Sequence, residues 1–188
     1  MAMRRISIFF LLMQLTRPVL ADNPEYYNYV GVTPTFVLMG MYGLAYARAI
    51  DNTSIITAVA GYTDFDLSPV PFLRNDDWKY QNIYFGVNYS CFPFSKNIFP
   101  HGLYLGLDLV PSIGFTTNRN DSSSGMGLDI SFDVLAGYSW ILFQRLKVSV
   151  DAFVNFNPPG IHLSGADWNT DNDWTILPFF DINIGFLF

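Results

Sequence analysis

The chain has 188 residues, of which 51% are hydrophobic, 18% aromatic and only 14% charged, and its formal net charge is −6. Soluble domains usually carry about 25% charged residues, so this composition excludes a disordered chain and, with its acidic balance, a nucleic-acid-binding one. The single cysteine, Cys91, excludes a disulfide framework and a paired-cysteine zinc site. The length allows one domain, with room for at most a small second one.

The first 21 residues have the pattern of a secretory signal peptide. Arg4 and Arg5 precede an apolar run from Ile6 to Leu15, and Val19-Leu20-Ala21 places small or short side chains before the expected cleavage point. The apolar run is about half the roughly 20 residues that a membrane-spanning helix needs. We expect residues 1–21 to be a removed signal peptide; an N-terminal core helix is the alternative.

After residue 21, apolar residues recur at every second position, which is the period of a β-strand. No apolar run there reaches 18 residues, so the sequence predicts no transmembrane helix in this part. The alternation is clearest in Gln81–Phe92, Leu103–Leu109, Leu128–Ser139, Val148–Asn155 and Phe180–Phe188. One more strand begins at Ser54, and Tyr26–Ile50 supplies two others if Val37–Gly40 forms a tight hairpin.

The connections between the predicted strands alternate between short and long. Ala49–Thr53 and Phe143–Leu146 are short, Pro93–Gly102 is intermediate, and Asp66–Lys79, Thr116–Gly125 and Asn157–Thr175 are long and polar. Short turns at one end, long loops at the other and both termini at the short-turn end are typical of an up-and-down barrel. Residues 22–188 are therefore predicted to form one all-β domain, an eight-stranded antiparallel up-and-down β-barrel.

The chemistry of the two strand faces indicates which one is outside. The polar face consists of Gly, Ser, Asn and Asp with almost no Lys or Glu, whereas a water-facing sheet carries many long charged side chains. The apolar faces are bulky over five or six successive positions, as a lipid-facing band requires. We therefore predict a transmembrane barrel with Phe85, Cys91 and Phe132 toward lipid and Asn88 in the lumen. A soluble periplasmic barrel with an apolar interior is the alternative.

The last strand resembles the C-terminal signal that outer-membrane assembly machinery reads in bacterial barrels. Its apolar residues stand at every second position: Phe180, Ile182, Ile184, Phe186 and Phe188. The rest resembles small eight-stranded outer-membrane proteins of the OmpX, OmpW and opacity-protein type. It is most similar to a barrel family of unknown function, through Gly31–Pro34, Tyr46–Asn52, Phe99–Gly106 and Gly137–Leu142. Members of that family often have Glu where this chain has Ala47.

The resemblance implies a monomer in the bacterial outer membrane, with outer-membrane lipid and the barrel-assembly machinery as its partners. It implies a non-enzymatic protein whose loops contact surface ligands or serve a structural role, or alternatively an OmpW-like channel for small solutes. Aromatic residues near the strand ends are expected at the lipid headgroups: Tyr80, Phe92, Phe94, Phe99, Trp140 and Phe143.

Four aspartates fall on the inward parity of the last four predicted strands: Asp108, Asp133, Asp151 and Asp181. Few inward basic residues could pair with them, and Lys147 is the clearest one. Confined like charges repel one another, and they recruit cations or water. Two interpretations stay open, a hydrated hydrogen-bond network that fills the lumen and a vestibule for cations or polar solutes.

The inventory of reactive side chains argues against catalysis. His101 falls in a connection at the short-turn end and His162 in the last long loop, so a barrel holds them at opposite ends. No Ser-His-Asp set or two-His metal site can be built from them. Glu25 is the only glutamate, so paired carboxylate chemistry has only aspartate to draw on. The sequence predicts no enzyme, no cofactor and no metal site.

Overall fold

The computed structural model describes residues 28–67, 77–94, 101–165 and 175–188. The signal-peptide prediction for residues 1–21 lies outside these ranges. The elements are β1 (Asn28–Val32), α1 (Pro34–Leu38), β2 (Met41–Ala49), β3 (Ser54–Asp64), a 3-10 helix (Phe65–Leu67), β4 (Trp78–Cys91), β5 (Gly102–Asn118), β6 (Ser124–Leu142), β7 (Leu146–Asn157), β8 (Ile161–Gly165) and β9 (Thr175–Leu187). Within the described ranges, no helix has the length and apolar character needed to cross a membrane.

Eight of the strands form a closed antiparallel barrel. Each strand from β1 to β6 pairs with the next one along the chain. β7 pairs with β9, and β9 pairs with β1, which closes the barrel. The closing register runs from Tyr29 opposite Leu187 to Val32 opposite Ile184. At the chain end, Asn28 and Phe188 exchange backbone hydrogen bonds of 3.2 and 2.9 Å. The predicted eight-stranded up-and-down barrel is confirmed.

The connection between β1 and β2 is not the tight hairpin predicted at Val37–Gly40. Pro34 instead begins α1, because the fixed φ of proline suits the first position of a helix. The carbonyl of Thr33 accepts a hydrogen bond of 3.0 Å from the amide of Phe36, and Gly40 ends the turn at a φ of 82°. α1 packs against β9 and lies at the loop end of the barrel.

Two of the predicted long loops are partly β-structure. β5 and β6 stay paired up to Thr117 opposite Ser124, so the predicted loop Thr116–Gly125 shrinks to residues 119–123. β8 lies within the predicted loop Asn157–Thr175 and pairs with the part of β6 that extends beyond β7, from Gly125 to Leu128. This pairing supplies hydrogen-bond partners to backbone groups that β7 does not reach.

Side chains alternate between the two surfaces of the barrel, with apolar residues outside. On β5, large side chains that are 41–60% exposed alternate with less exposed residues such as Tyr104, Asp108 and Ser112; the exposed set is Leu103, Leu105, Leu107, Leu109, Ile113 and Phe115. Phe85 is 63% and Phe132 is 44% exposed, whereas Asn88 and Asp133 line the interior. The apolar-out, polar-in parity is the one that the strand patterns predict.

Two aromatic residues expected at the lipid headgroups lie inside the barrel instead. Phe92 is 1% exposed and packs against Tyr104 with ring centroids 5.0 Å apart. Tyr80 lines the interior and stacks on Phe65 at 5.4 Å. Tyr80 is an even number of residues from Tyr84, which faces inward. The alternation of the strand therefore predicts that Tyr80 faces inward as well. Phe94 and Phe143 are 76% and 92% exposed, and Phe99 lies outside the described residues.

Candidate functional site

The interior of the barrel holds a cavity of about 630 Å³. Its walls extend from Lys147, toward the short-turn end, to Phe65 and Leu177 near the loop end. Small-molecule sites are commonly cavities of about 300–1,000 Å³, so the lumen has the volume of a ligand site.

An apolar cluster fills the barrel at the short-turn end. Its members are all at most 8% exposed: Ala47, Ile55, Phe92, Tyr104 and Leu135. Of these, Ala47, Ile55 and Phe92 do not line the cavity, so the cavity ends on the loop side of these three residues. Ala47 is fully buried in this cluster.

All four predicted aspartates line the cavity. The strand register sets Asp108 opposite Asp133 and Asp151 opposite Asp181, so the structure brings them together as two adjacent pairs. Asp151 is 6% and Asp181 is 7% exposed, while Asp108 and Asp133 are half-buried. The carboxyl groups therefore share one confined, partly desolvated space.

An asparagine amide contacts each carboxyl group of the four. The amide of Asn88 donates to Asp108, that of Asn155 to Asp133, and that of Asn183 to Asp151 at 2.6 Å and to Asp181 at 3.0 Å. An amide donor stabilises a carboxylate without neutralising its charge. The sequence analysis placed Asn88 in the lumen but did not predict that these asparagines bind the aspartates. Asn88 and Asn155 lie directly opposite their aspartates in the register.

A glycine on β6 makes room for a hydrogen bond between side chains of the two flanking strands, β5 and β7. The hydroxyl of Tyr104 donates to Asp151, and Gly137 on β6 is the register partner of both residues. A Cβ at Gly137 would lie 2.7 Å from Tyr104 Cζ and 2.8 Å from its hydroxyl oxygen. Real Cβ atoms do not approach other atoms so closely, so this position requires glycine for Tyr104 to reach Asp151.

The buried lysine does not neutralise the aspartates by direct pairing. Lys147 is 5% exposed, and its Nζ lies 4.2 Å from the ring centroid of Tyr29 and 5.7 Å from that of Tyr104. No carboxylate oxygen of the described residues lies within 4.0 Å of this Nζ. A fifth aspartate, Asp129, also lines the cavity and hydrogen-bonds to Tyr80; its inward parity was visible in the sequence. Acidic groups therefore outnumber basic ones on the described walls.

Two buried hydroxyls on the cavity wall have no hydrogen-bond partner among the described residues. Ser149 is 0% and Thr63 is 1% exposed. In the part of the chain that the structure describes, neither Ser149 Oγ nor Thr63 Oγ1 makes a hydrogen bond. A buried hydroxyl without a partner costs about 1–3 kcal/mol, so both positions favour occupation by a molecule that can hydrogen-bond.

The half of the cavity nearer the loops has an aromatic wall. Phe36 of α1 meets Phe153 edge-on at 6.3 Å, and Phe153 stacks on Phe179 at 5.5 Å. Met39 and Leu177 line the same region. The expected polar inner face is therefore found only around the aspartates, between this aromatic wall and the apolar cluster at the short-turn end, and the cavity is amphipathic.

The histidines lie at opposite ends of the barrel. His101 precedes β5 at the short-turn end and contacts Tyr138, with ring centroids 5.7 Å apart. His162 is exposed on β8, at the loop end. Across the described ranges, no three His, Cys, Asp or Glu side chains are placed so that they could hold a metal ion.

The five apolar residues of the expected assembly signal all lie on the outer surface of the last strand. Their exposed fractions run from 38% to 72%: Phe180, Ile182, Ile184, Phe186 and Phe188. Their outward parity follows from the register with β7, in which Asp181 and Asn183 point inward.

Two carboxylates at the barrel ends organise their own turns. Asp51 Oδ1 accepts hydrogen bonds from the Thr53 amide at 2.7 Å and hydroxyl at 2.9 Å, and these bonds lower the pKa of Asp51 below its usual value. The hydroxyl and amide of Ser123 likewise donate to Asp121 at 2.6 and 2.9 Å and lower its pKa. At the same end as Asp121, Arg119 forms an ion pair with Asp66.

Comparisons with known proteins leave the fold and the cavity as the basis for interpretation. The chain matches no protein-family model, no curated protein and no solved structure.

Proposed function

We propose that this chain is a non-enzymatic bacterial outer-membrane protein that crosses the membrane as a monomeric barrel and presents its longer connections outside the cell. The outward apolar face supports this proposal. Soluble proteins rarely expose apolar patches larger than a few hundred Å², yet exposed large side chains occur on every barrel strand, among them Tyr46, Ile56, Phe85, Leu107 and Phe132. A partner protein would cover one side of a barrel, whereas lipid surrounds it.

The height of the apolar face fits a bilayer. On β5, outward apolar residues run from Leu103 to Phe115. A strand tilted by about 40° rises roughly 2.5 Å per residue along the barrel axis, so this run covers roughly 30 Å, the thickness of a hydrocarbon core. Tyr138, opposite Leu103, and Trp140 have ring centroids 4.8 Å apart at the short-turn edge of this band. Aromatic girdles occupy such positions in outer-membrane barrels.

Labelling of single cysteines in intact cells tests both location and orientation. In a Cys91→Ser background, Asp121→Cys lies at the loop end and Asn52→Cys lies in the turn between β2 and β3; both positions are exposed. A membrane-impermeant maleimide should label Asp121→Cys in intact cells and Asn52→Cys only after lysis. Equal labelling of the two, or recovery of the protein in the soluble periplasmic fraction, would contradict the proposal.

Contacts at the loop end support a surface or structural role for this protein. Arg119 joins the β5–β6 turn to Asp66 through its side chain and to the carbonyl of Asp77 through its amide, at 2.8 Å for the latter. Asn120 adds a side-chain bond of 3.1 Å to Asp77. These bonds tie the β5–β6 turn to Asp66 and Asp77, the described parts of the connection between β3 and β4.

The cavity favours a second candidate function, a vestibule for small solutes. The apolar cluster around Phe92 and Ile55 supports a vestibule closed at the short-turn end and not a continuous pore. In planar bilayers the refolded protein should therefore give no conductance steps, and Phe92→Ala should be the variant that produces them. Steps from the unsubstituted protein would favour the channel that the resemblance implies.

A further inference from the structure

We propose that the lumen binds a small amphipathic organic cation, with its ammonium group against the aspartates and its apolar body against Phe36, Phe153 and Phe179. This inference deepens the vestibule candidate and rests on it. It does not depend on which membrane holds the barrel.

The charge of the cavity selects a cation. Five aspartates and one lysine line the described walls, and Lys147 is directed to the faces of Tyr29 and Tyr104. Asn88 and Asn155 each occupy only one oxygen, Oδ1, of Asp108 and Asp133. Among the described residues, none donates to the second oxygen of either carboxyl group. These two oxygens belong to residues that lie opposite each other in the register, and both are therefore available to N–H donors from a ligand.

A buried hydroxyl beside the acidic groups also points to an occupant. Ser149 precedes Asp151 by one inward position and lies opposite Asn183 in the register. It is fully buried, it lines the cavity, and its Oγ has no hydrogen-bond partner among the described residues. The carboxylates already have amide donors, whereas this hydroxyl has no partner among the described residues, so a hydrogen-bonding group of a ligand at this level of the cavity would satisfy Ser149.

The aromatic wall determines the remainder of the ligand. Phe153 lies two positions from Asp151 and Phe179 lies two positions from Asp181, so the aromatic stack is one layer nearer the loops than the carboxyl groups of this pair. Phe36 extends the wall from α1. Aromatic faces attract both apolar groups and cations. A ligand that reaches the aspartates and fills this space carries its charge at one end and an apolar group at the other.

A metal ion fits the cavity less well. In the described residues, no three ligand side chains converge on one point, whereas hard cations take six or more oxygen ligands. The cavity of about 630 Å³ is also much larger than such an ion. The observations therefore favour an organic ammonium ion that carries an apolar group.

Binding of 2-phenylethylammonium to the full barrel, refolded in uncharged maltoside micelles, tests the proposal. The probe should shift backbone resonances of inward residues such as Ser149 and Phe153 and should saturate. Its neutral isostere 2-phenylethanol and the anion 3-phenylpropionate should bind at least tenfold more weakly. Methylammonium, which lacks the apolar body, should also bind at least tenfold more weakly. Magnesium ions should not displace the probe.

Matched variants separate the two halves of the site. Asp108→Asn with Asp133→Asn should weaken binding about tenfold or more, whereas Asp121→Asn, in an exposed loop, should leave the Kd within twofold. Phe153→Leu, which keeps an apolar side chain, should weaken binding of the probe several-fold. If the double variant does not fold, Ser149→Ala takes its place, with an expected loss of at least threefold.

Three outcomes would overturn the proposal. They are equal affinity for the amine and the alcohol, resonance shifts confined to outward residues as micelle partitioning would give, and displacement of the probe by magnesium ions or methylammonium at equal concentration. None of these results bears on the outer-membrane location, because that location is tested by the cysteine labelling in cells.

Discussion

An arginine placed on the outward face should reveal whether that face meets lipid. Phe132 lies opposite Leu109 on the neighbouring strand, six positions from Tyr138 and six from Met126, which face the two ends of the β5 apolar run. At roughly 2.5 Å of height per tilted residue, Phe132 is about 15 Å from either edge and therefore near the midplane. It is the position where a charge on this strand should cost most.

The expected magnitude follows from that depth. An arginine at the bilayer midplane of a barrel costs about 2–4 kcal/mol, and one near the interface about 0–1 kcal/mol. Phe132→Arg should therefore lower the folding equilibrium constant roughly 30- to 700-fold, at 1.4 kcal/mol for each factor of ten. Phe143→Arg introduces the same side chain in the turn between β6 and β7, where Phe143 is 92% exposed, and should change stability by less than about 1 kcal/mol.

Equilibrium unfolding in urea, in phosphatidylcholine vesicles, measures both variants against the unsubstituted protein. Heat-modifiable gel mobility reports the folded fraction independently. Asp133→Asn, one residue away on the inner face, should be milder than Phe132→Arg. If Phe132→Arg unfolds at the same urea concentration as Phe143→Arg, the outer face does not lie in lipid, and the proposed membrane location fails.

Further predictions concern closure, packing, a turn and a pH-dependent contact. Deletion of Phe188 should sharply reduce folded protein in the outer membrane, because the residue exchanges two backbone hydrogen bonds with Asn28 and ends the expected assembly signal; immunoblots of outer-membrane fractions measure this. Gly137→Ala should destabilise the barrel by about 1–3 kcal/mol in urea unfolding, since its Cβ would displace Tyr104 from Asp151 and leave a buried group unpaired. Gln144→Gly should raise stability by about 1 kcal/mol, because Gln144 adopts a φ of 69° that favours glycine. Asp51 should titrate below its usual pKa in carboxyl NMR, and its turn contact should stabilise the fold at neutral pH and weaken as the pH falls through the lowered pKa.

Each of these expectations has a result that would contradict it. Normal outer-membrane levels without Phe188 would mean that closure and assembly do not depend on it. A fully stable Gly137→Ala variant would mean that the hydrogen bond between Tyr104 and Asp151 does not require glycine at this position. A Gln144→Gly variant of unchanged stability would remove the argument from backbone strain, and an Asp51 that titrates at its ordinary value would mean that the Thr53 bonds do not persist in solution.

The sequence determined those features that depend on local periodicity. Because successive side chains of a strand point to opposite faces, the alternation alone placed Asp108, Asp133, Asp151 and Asp181 on one surface and Phe132 on the other. The short connections at Ala49–Thr53 and Phe143–Leu146 likewise followed from nearby residues. Tyr80 lies inside the barrel although it stands near a strand end, because it has the parity of the inward-facing Tyr84 and parity decides the face on which a side chain lies.

The tertiary structure decided what depends on which strands pair and in which register. β8 has no strong pattern of its own, and it is a strand because β6 extends beyond β7 and offers unpaired backbone groups. The bonds from Asn88 and Asn155 to their aspartates exist only in the observed register, and a slip of one residue would turn each side chain to the other face. The apolar cluster at the short-turn end depends on Ala47, Phe92 and Leu135 meeting inside the closed barrel, from segments far apart in the chain. Local pattern carries no information about such distances, because they are set by the pairing of all eight strands and by the side-chain volumes that the closed barrel must hold.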